Sequence, residues 1–208
     1  MPYIQLTTRC NHQCPHCCFD CISQGEDMSW ETFQAVKDYF ESETISLGGG
    51  EPTLHPLFEK ILLHSITAFE HVWLATNGSQ TEISLALSEL AKMGVIGCAL
   101  SQDEYHDPID NRVVKAFTKD KRIRSYNSSK CDYREIRTVQ KAVEAGRCDW
   151  GKSECPCDTL FVKPSGDVHW CGCENALKLG NIHQPDKLSE TIRLHEYWEL
   201  DCCWNNKE

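Results

Sequence analysis

The stretch Tyr3-Ile4-Gln5-Leu6-Thr7-Thr8-Arg9-Cys10-Asn11-His12-Gln13-Cys14-Pro15-His16-Cys17 decides how the whole chain is read. Its first five residues form a strand, and the remainder is a loop with thiols at Cys10, Cys14 and Cys17. In folds that alternate strands and helices, ligands bind at the C-terminal ends of the strands. Three thiols on one irregular loop can hold three corners of a cubane iron–sulfur cluster and leave the fourth iron open. Structural zinc would take a fourth protein ligand. His12, His16, Cys18 or Cys21 could supply it, so both metals stay open on this loop alone.

Outward from the loop, strands and helices alternate. Ser29 caps a helix with apolar positions Phe33, Val36, Tyr39 and Phe40. Thr44 to Leu47 reads as a strand that runs into Gly48-Gly49-Gly50. Next along the chain come a helix over 56–69, a strand over His71 to Thr76, a helix over 81–93 and a strand over Val95 to Leu100. A helix near 108–117 and a strand near 134–139 complete the series. The expected fold is α/β, a partial (β/α)6-type barrel over 1–146 with a small cysteine-rich hairpin and helix appendage over 147–208.

The order C-x3-C-x2-C resembles the motif of the radical S-adenosylmethionine (SAM) superfamily. Thr8-Arg9-Cys10-Asn11 is similar to a common lead-in of that superfamily. Gly49-Gly50-Glu51-Pro52 resembles its GGEP motif, and Asn77-Gly78 resembles its Thr-Asn-Gly strand end. Each motif comes directly after an expected strand, in the family's order, within residues 3–140. The resemblance implies a [4Fe–4S] cluster on Cys10, Cys14 and Cys17 whose open iron binds SAM. It implies that Gly49 and Gly50 offer backbone to the SAM amino group, that Glu51 and Pro52 border it, and that Asn77 lies at the same end. His16 stands where the family often has an aromatic residue near adenine. One electron into the cluster would cleave SAM to a 5′-deoxyadenosyl radical, which abstracts hydrogen from substrate. Cys18, Cys21, Cys98 and Cys131 are expected to be structural thiols.

Cys155-Pro156-Cys157 and Cys171-Gly172-Cys173 flank a second feature, a hairpin around Pro164-Ser165-Gly166. With a two-residue turn, positions 158 and 173 would face each other, as would 160 and 171. The segment resembles the auxiliary-cluster appendages called twitch and SPASM. Cys155-x10-Gly166-x4-Cys171 fits their opening, and Leu179-Gly180-Asn181-Ile182 resembles their next stretch. Among the remaining cysteines, Cys202 or Cys203 would complete a second [4Fe–4S] cluster with Cys155 and Cys171. Cys157 and Cys173 are alternative ligands, and structural zinc is the competing occupant.

Composition agrees with a folded core. Of 208 residues, 40% are apolar and 25% charged, with 14 cysteines and a formal charge of −10. Neither a signal peptide nor a bilayer span is read, so the cytoplasm is expected and the thiols are expected to be reduced. Charge is uneven: residues 112–141 carry a net +7 while the rest carries −17. Such a face suits an anionic substrate or nucleotide, or else a solvated helix or an acidic electron donor. In the loop after the fourth strand, Ser101 and Gln102 are candidates for SAM contacts, and Tyr105 and His106 for substrate contact or proton relay.

The expected function is therefore a radical SAM enzyme, of oxidoreductase or isomerase type, acting on a peptide or small metabolite. Its partners would be SAM and an external donor such as a flavodoxin or ferredoxin. Radical modification of a nucleotide or nucleic-acid base is the alternative enzyme. A zinc-binding interaction module is the alternative from another class.

Overall fold

The computed structural model describes residues 1–40, 43–119, 131–138, 144–150, 159–173 and 176–196. Five strand-and-connection units come first: β1 (Tyr3–Thr7), α1 (Trp30–Tyr39), β2 (Thr44–Gly49), α2 (Phe58–Ala68), β3 (His71–Thr76), α3 (Thr81–Lys92), β4 (Gly97–Ser101), α4 (Asn111–Phe117) and β5 (Arg134–Arg137). After them come β6 (Phe161–Val162), β7 (Asp167–His169), β8 (Lys178–Asn181) and α5 (Pro185–Glu196).

All eight strands share one sheet, in the order β5-β4-β3-β2-β1-β6-β7-β8. β1 to β5 are parallel neighbours, and β6 adds to the free side of β1, also parallel. β7 and β8 return antiparallel. Among the described residues β5 and β8 are the sheet's edges, and the arc they bound is open rather than closed into a barrel. β6 to β8 thus prolong the sheet of β1 to β5.

Local causes are visible in each unit. The Ser29 hydroxyl accepts the Thr32 backbone N–H at 3.1 Å and so starts α1, which buries Phe33 and Val36. β2 is buried from Ile45 to Gly49, as expected for a parallel strand covered on both faces. Ile4, Leu6, Leu47, Leu74, Cys98 and Leu100 form the shared core. Cys98 is fully buried there, in keeping with a structural thiol.

The hairpin departs from expectation in register. Phe161 faces His169 and Val162 faces Val168, one residue off the two-residue-turn pairing. The connection is three residues long, with Gly166 at φ +83 and Lys163 N–H bonded to Asp167 O at 2.9 Å. A shift of one residue exchanges the two faces of a strand. The pairing of 160 with 171 is accordingly corrected, and that of 158 with 173 involves a position outside the described residues. β8 was legible only as the Leu179-Gly180-Asn181-Ile182 motif, because Gly180 interrupts its strand pattern.

Candidate metal centre

At the C-terminal ends of β1 to β4 lies a cavity of about 290 Å³. Cys10, Cys14 and Cys17 line it together with Gly48 to Glu51, Thr76, Asn77, Ser101 and His106. The loop, the glycine run, the Asn77 strand end and the loop after β4 therefore converge on one space, though they are separated by up to 96 residues of chain.

Arg9 fixes the start of the cysteine loop. Its guanidinium pairs with Asp27 at 2.8 Å and donates to Leu54 O at 2.7 Å. Cys10 N–H bonds to Ile22 O at 2.8 Å, and Cys17 N–H to Cys14 O at 3.1 Å, so the loop closes on itself. Its three proposed ligands are all half-buried.

The glycines answer to steric demand from β1. A Cβ on Gly49 would lie 2.5 Å from Thr7 O, and one on Gly50 would lie 2.2 Å from Arg9 O. Those close approaches carry hydrogen bonds from Gly50 N–H to Thr7 O and from Glu51 N–H to Arg9 O, both 2.8 Å. The run thus docks the second strand against the cysteine loop as well as exposing backbone to the cavity.

Glu51 is 1% exposed and serves as a hub. One carboxylate oxygen accepts Thr53 N–H at 3.2 Å, the Thr53 hydroxyl at 2.6 Å and the Thr76 hydroxyl at 2.8 Å. The other accepts Asn77 N–H at 2.7 Å. Burial pushes its pKa above the usual carboxylate range, and these donors oppose the shift. Pro52 begins the short 3-10 turn that Glu51 caps. Asn77 in turn donates from Nδ2 to Asn11 Oδ1 at 3.0 Å and reaches the Cys10 sulfur at 3.9 Å.

The thiols themselves ask for a cation. Burial raises Cys10, and burial with neighbouring sulfurs raises Cys14 to about 11. The neighbouring Cys21 sulfur and backbone donors lower Cys17 to about 5. The Cys21 thiol, 1% exposed, donates to Phe19 O at 3.9 Å, and the nearby Cys17 sulfur and burial push its pKa up. Crowded sulfurs of this kind are stabilised as thiolates when iron or another cation is bound. The donor set therefore fits a thiolate-held cluster.

Three imidazoles border the sulfurs. His106 Nδ1 lies 2.7 Å from Asp103 Oδ1, which leaves Nε2 for the cavity side. The His16 ring stands 5.1 Å from His106, and His12 stands 6.1 Å from it. Among the described residues, buried Nδ1 atoms of His12 and His16 have no hydrogen-bond partner. Donor atoms of Cys14, His16 and His106 fall within 4.8 Å of one another. His12 entered the sequence reading only as a spare zinc ligand, yet it lines the cavity; its position two residues past Cys10 was the available signal.

Other expected residues are placed differently. Tyr105 packs between His16 at 5.3 Å and Trp150 at 5.4 Å, beside the cavity rather than among its lining residues. Gln102 also lies outside the lining, and its buried Oε1 has no partner among the described residues. In the appendage, Cys171 is buried and Cys173 half-buried. Cys173 and Cys18 line a second cavity, of about 440 Å³, together with Phe19 and Phe161; Cys18 and Phe19 line the first cavity as well. Cys155, Cys157, Cys202 and Cys203 lie outside the described residues. Of the basic segment, Arg112 pairs with Asp110, Arg134 with Asp132, and Arg137 with Glu135 while covering Trp73. Residues 120–130 and 139–141 of that segment lie outside the described residues.

A sulfur-lined cavity at the mouth of an open parallel sheet, walled by a glycine run and an Asn-Gly strand end, defines the class of SAM-dependent iron–sulfur proteins. The model of the Radical SAM superfamily matches residues 4–152, and the chain belongs to that superfamily of enzymes. YydG of Bacillus subtilis (strain 168), named for a provisional role in peptide biosynthesis, is 30% identical over 115 residues, which are 50% of this chain and 36% of YydG. The tungsten-containing aldehyde ferredoxin oxidoreductase cofactor-modifying protein of Pyrococcus furiosus is 32% identical over 99 residues, 45% of this chain and 28% of that protein. The chain thus spans about a third of the length of these curated relatives.

Among solved structures, anSMEcpe with bound AdoMet and Cp18Cys peptide superposes with a TM-score of 0.60 at 17% identity, covering 94% of this chain and 81% of that one. Streptococcus suis SuiB bound to S-adenosylmethionine superposes at 0.56 with 14% identity, covering 90% and 64%. These likenesses establish the shared fold. No helix among the described residues is long and apolar enough to cross a membrane.

Proposed function

We propose that the chain binds SAM at a [4Fe–4S] cluster held by Cys10, Cys14 and Cys17 and uses it to abstract hydrogen from a peptide substrate. The convergence of the three thiols with the Gly49–Gly50 backbone and Asn77 on one cavity carries this reading. Cys10, Cys14 and Cys17 would hold the cluster, which when bound with SAM would supply reductive radical chemistry. The protein's own part is to orient and enclose. Gly49 and Gly50 offer backbone, Glu51 and Pro52 hold that backbone in place, and Asn77 and Ser101 present polar groups to the cavity. His16 stands beside the adenine position. His106, oriented by Asp103, holds or moves a proton at Nε2, Tyr105 lies beside the cavity where substrate would enter, and Gln102 is a further candidate for a SAM contact.

A peptide substrate is supported by a relative named for peptide biosynthesis and by a fold neighbour with a bound peptide. Residues 1–146 would form the radical core and 147–208 an appendage with a second [4Fe–4S] cluster, using Cys155, Cys171 or Cys173, and Cys202 or Cys203. Electrons would come from a flavodoxin- or ferredoxin-like donor.

Anaerobic reconstitution tests the reading. A brown protein absorbing near 400 nm that forms 5′-deoxyadenosine from SAM and dithionite is expected, and Cys14→Ala should abolish the product. A colourless protein with stoichiometric zinc and little iron would overturn it. The Cys10, Cys14 and Cys17 triple alanine variant should retain about four irons if the second cluster exists; a folded variant without iron would reject that cluster.

A further inference from the structure

We propose that Arg147 is the positioning and charge-tuning residue of the cluster loop. Arg147 lies ten residues beyond the core's last described strand and belongs to none of the motifs. Its contacts nevertheless span the loop from Cys14 to Cys21. Its backbone N–H donates to Cys17 O at 2.9 Å. Its guanidinium donates to Cys14 O at 3.3 Å and to Cys21 O at 2.5 Å. Its Nε bonds to Asp20 Oδ1 at 3.0 Å. Two of the three proposed ligand residues therefore have their carbonyls held by this one side chain and its amide.

The approach is close because Gly146 allows it. Gly146 adopts φ +58, and a Cβ there would lie 2.6 Å from Cys18 O and 2.8 Å from Cys17 O. Asp20, the ion-pair partner, itself sits at φ +47, a conformation that costs a non-glycine residue energy unless its surroundings impose it. The Arg147 side chain is 26% exposed while Asp20 is 62% exposed, so the carboxylate is the better screened of the two charges.

This placement has two effects. Hydrogen bonds to ligand-bearing backbone orient the sulfurs and slow their release of metal. A guanidinium cation held this close favours the cluster state with one more electron, which raises its potential. Arg147 thereby couples a segment beyond the last described strand of the parallel series to the reactivity of the cysteine loop.

The inference rests on the reading that Cys10, Cys14 and Cys17 hold the cluster, so the full-length reconstituted protein is the material. Midpoint potential by EPR-monitored titration and the rate of iron release to a chelator are the readouts. In Arg147→Gln, the equilibrium constant for reduction should fall about tenfold, a shift of about 59 mV, and release should quicken about tenfold. Arg147→Lys keeps the charge but not the fork, so release should quicken while the midpoint stays near the parent value. Asp20→Asn unmasks the guanidinium and should shift the midpoint the other way, by about threefold in the constant.

An Arg147→Gln protein with full iron, parental midpoint and parental release would overturn the inference. Should Arg147→Gln not hold iron, an unchanged midpoint in Asp20→Asn would overturn it instead. A parent protein that takes up no cluster would fail the reading beneath it, and the inference with it.

Discussion

The Glu51 carboxylate accepts the backbone N–H of Asn77 at 2.7 Å, which ties the end of β3 to the turn after β2 inside the core. The same carboxyl group gathers Thr53 and Thr76, so three polar residues on two segments beside the cavity share one buried side chain. Glu51→Ala would leave the Thr53 and Asn77 amides buried without an acceptor. Each such loss costs about 1–3 kcal/mol. The expected result is a fall of at least about 2 kcal/mol in urea-measured stability, with Glu51→Gln losing less. An unchanged unfolding midpoint in Glu51→Ala would refute the hub role.

Gly50→Ala probes the docking of β2 against the cysteine loop. The added methyl would meet the Arg9 carbonyl at 2.2 Å, and backbone, unlike a side-chain tip, cannot swing away. Overpacking of this kind costs about 1–3 kcal/mol. The loop would shift with Arg9, so iron retention after reconstitution should drop along with stability. A variant that keeps parental iron and melting temperature would show that the contact is not tight.

His55 gives the fold a sensitivity to acid. It is 4% exposed, Leu57 N–H donates to its Nδ1 at 3.0 Å, and its Nε2 therefore donates to Met28 O at 2.9 Å. A second proton at Nδ1 would break the Leu57 bond, and burial lowers the folded pKa below the ordinary imidazole value of 6.5. The unfolded chain then binds more protons than the folded one below about pH 6.5, so stability falls as pH drops through that range. Urea midpoints at about pH 8 and about pH 5.5 should differ more for the parent protein than for His55→Gln. Equal differences would assign the acid sensitivity to other groups.

Much of the fold was open to sequence reading, for identifiable reasons. β1 to β4 announce themselves because parallel strands are short apolar runs bounded by Gly, Asn and capping residues, as at Ser29 and Gly78. Cys10, Cys14 and Cys17 are found by spacing, since one loop must carry them. Glu51 was expected beside a SAM ammonium, and its four internal hydrogen bonds depend on Thr76 and Asn77, 25 and 26 residues away, as well as on Thr53. Arg147 escaped notice altogether, because its partners Cys14 and Cys21 are 133 and 126 residues distant and backbone carbonyls leave no mark in side-chain patterns. The hairpin register was missed by one residue because Pro164-Ser165-Gly166 supports either turn length.

Asn77 separates positioning of the loop from its bare stability. Its Nδ2 donates to Asn11 Oδ1, and its Oδ1 accepts Ser79 N–H at 2.9 Å. Asn77→Asp keeps the second bond and loses the first, setting an acceptor against Asn11 and a negative charge within reach of the Cys10 sulfur. Crowding another anion among thiolates disfavours them unless metal compensates. Iron retention should therefore fall, and SAM binding by the reconstituted protein should weaken at least about tenfold, with only about 1 kcal/mol lost from folding. Ser79→Ala removes a single exposed 3.2 Å contact to Asn11 and should leave both readouts near parental values. Asn77→Asp protein with parental iron and SAM affinity would place Asn77 in the strand end alone, outside the working site.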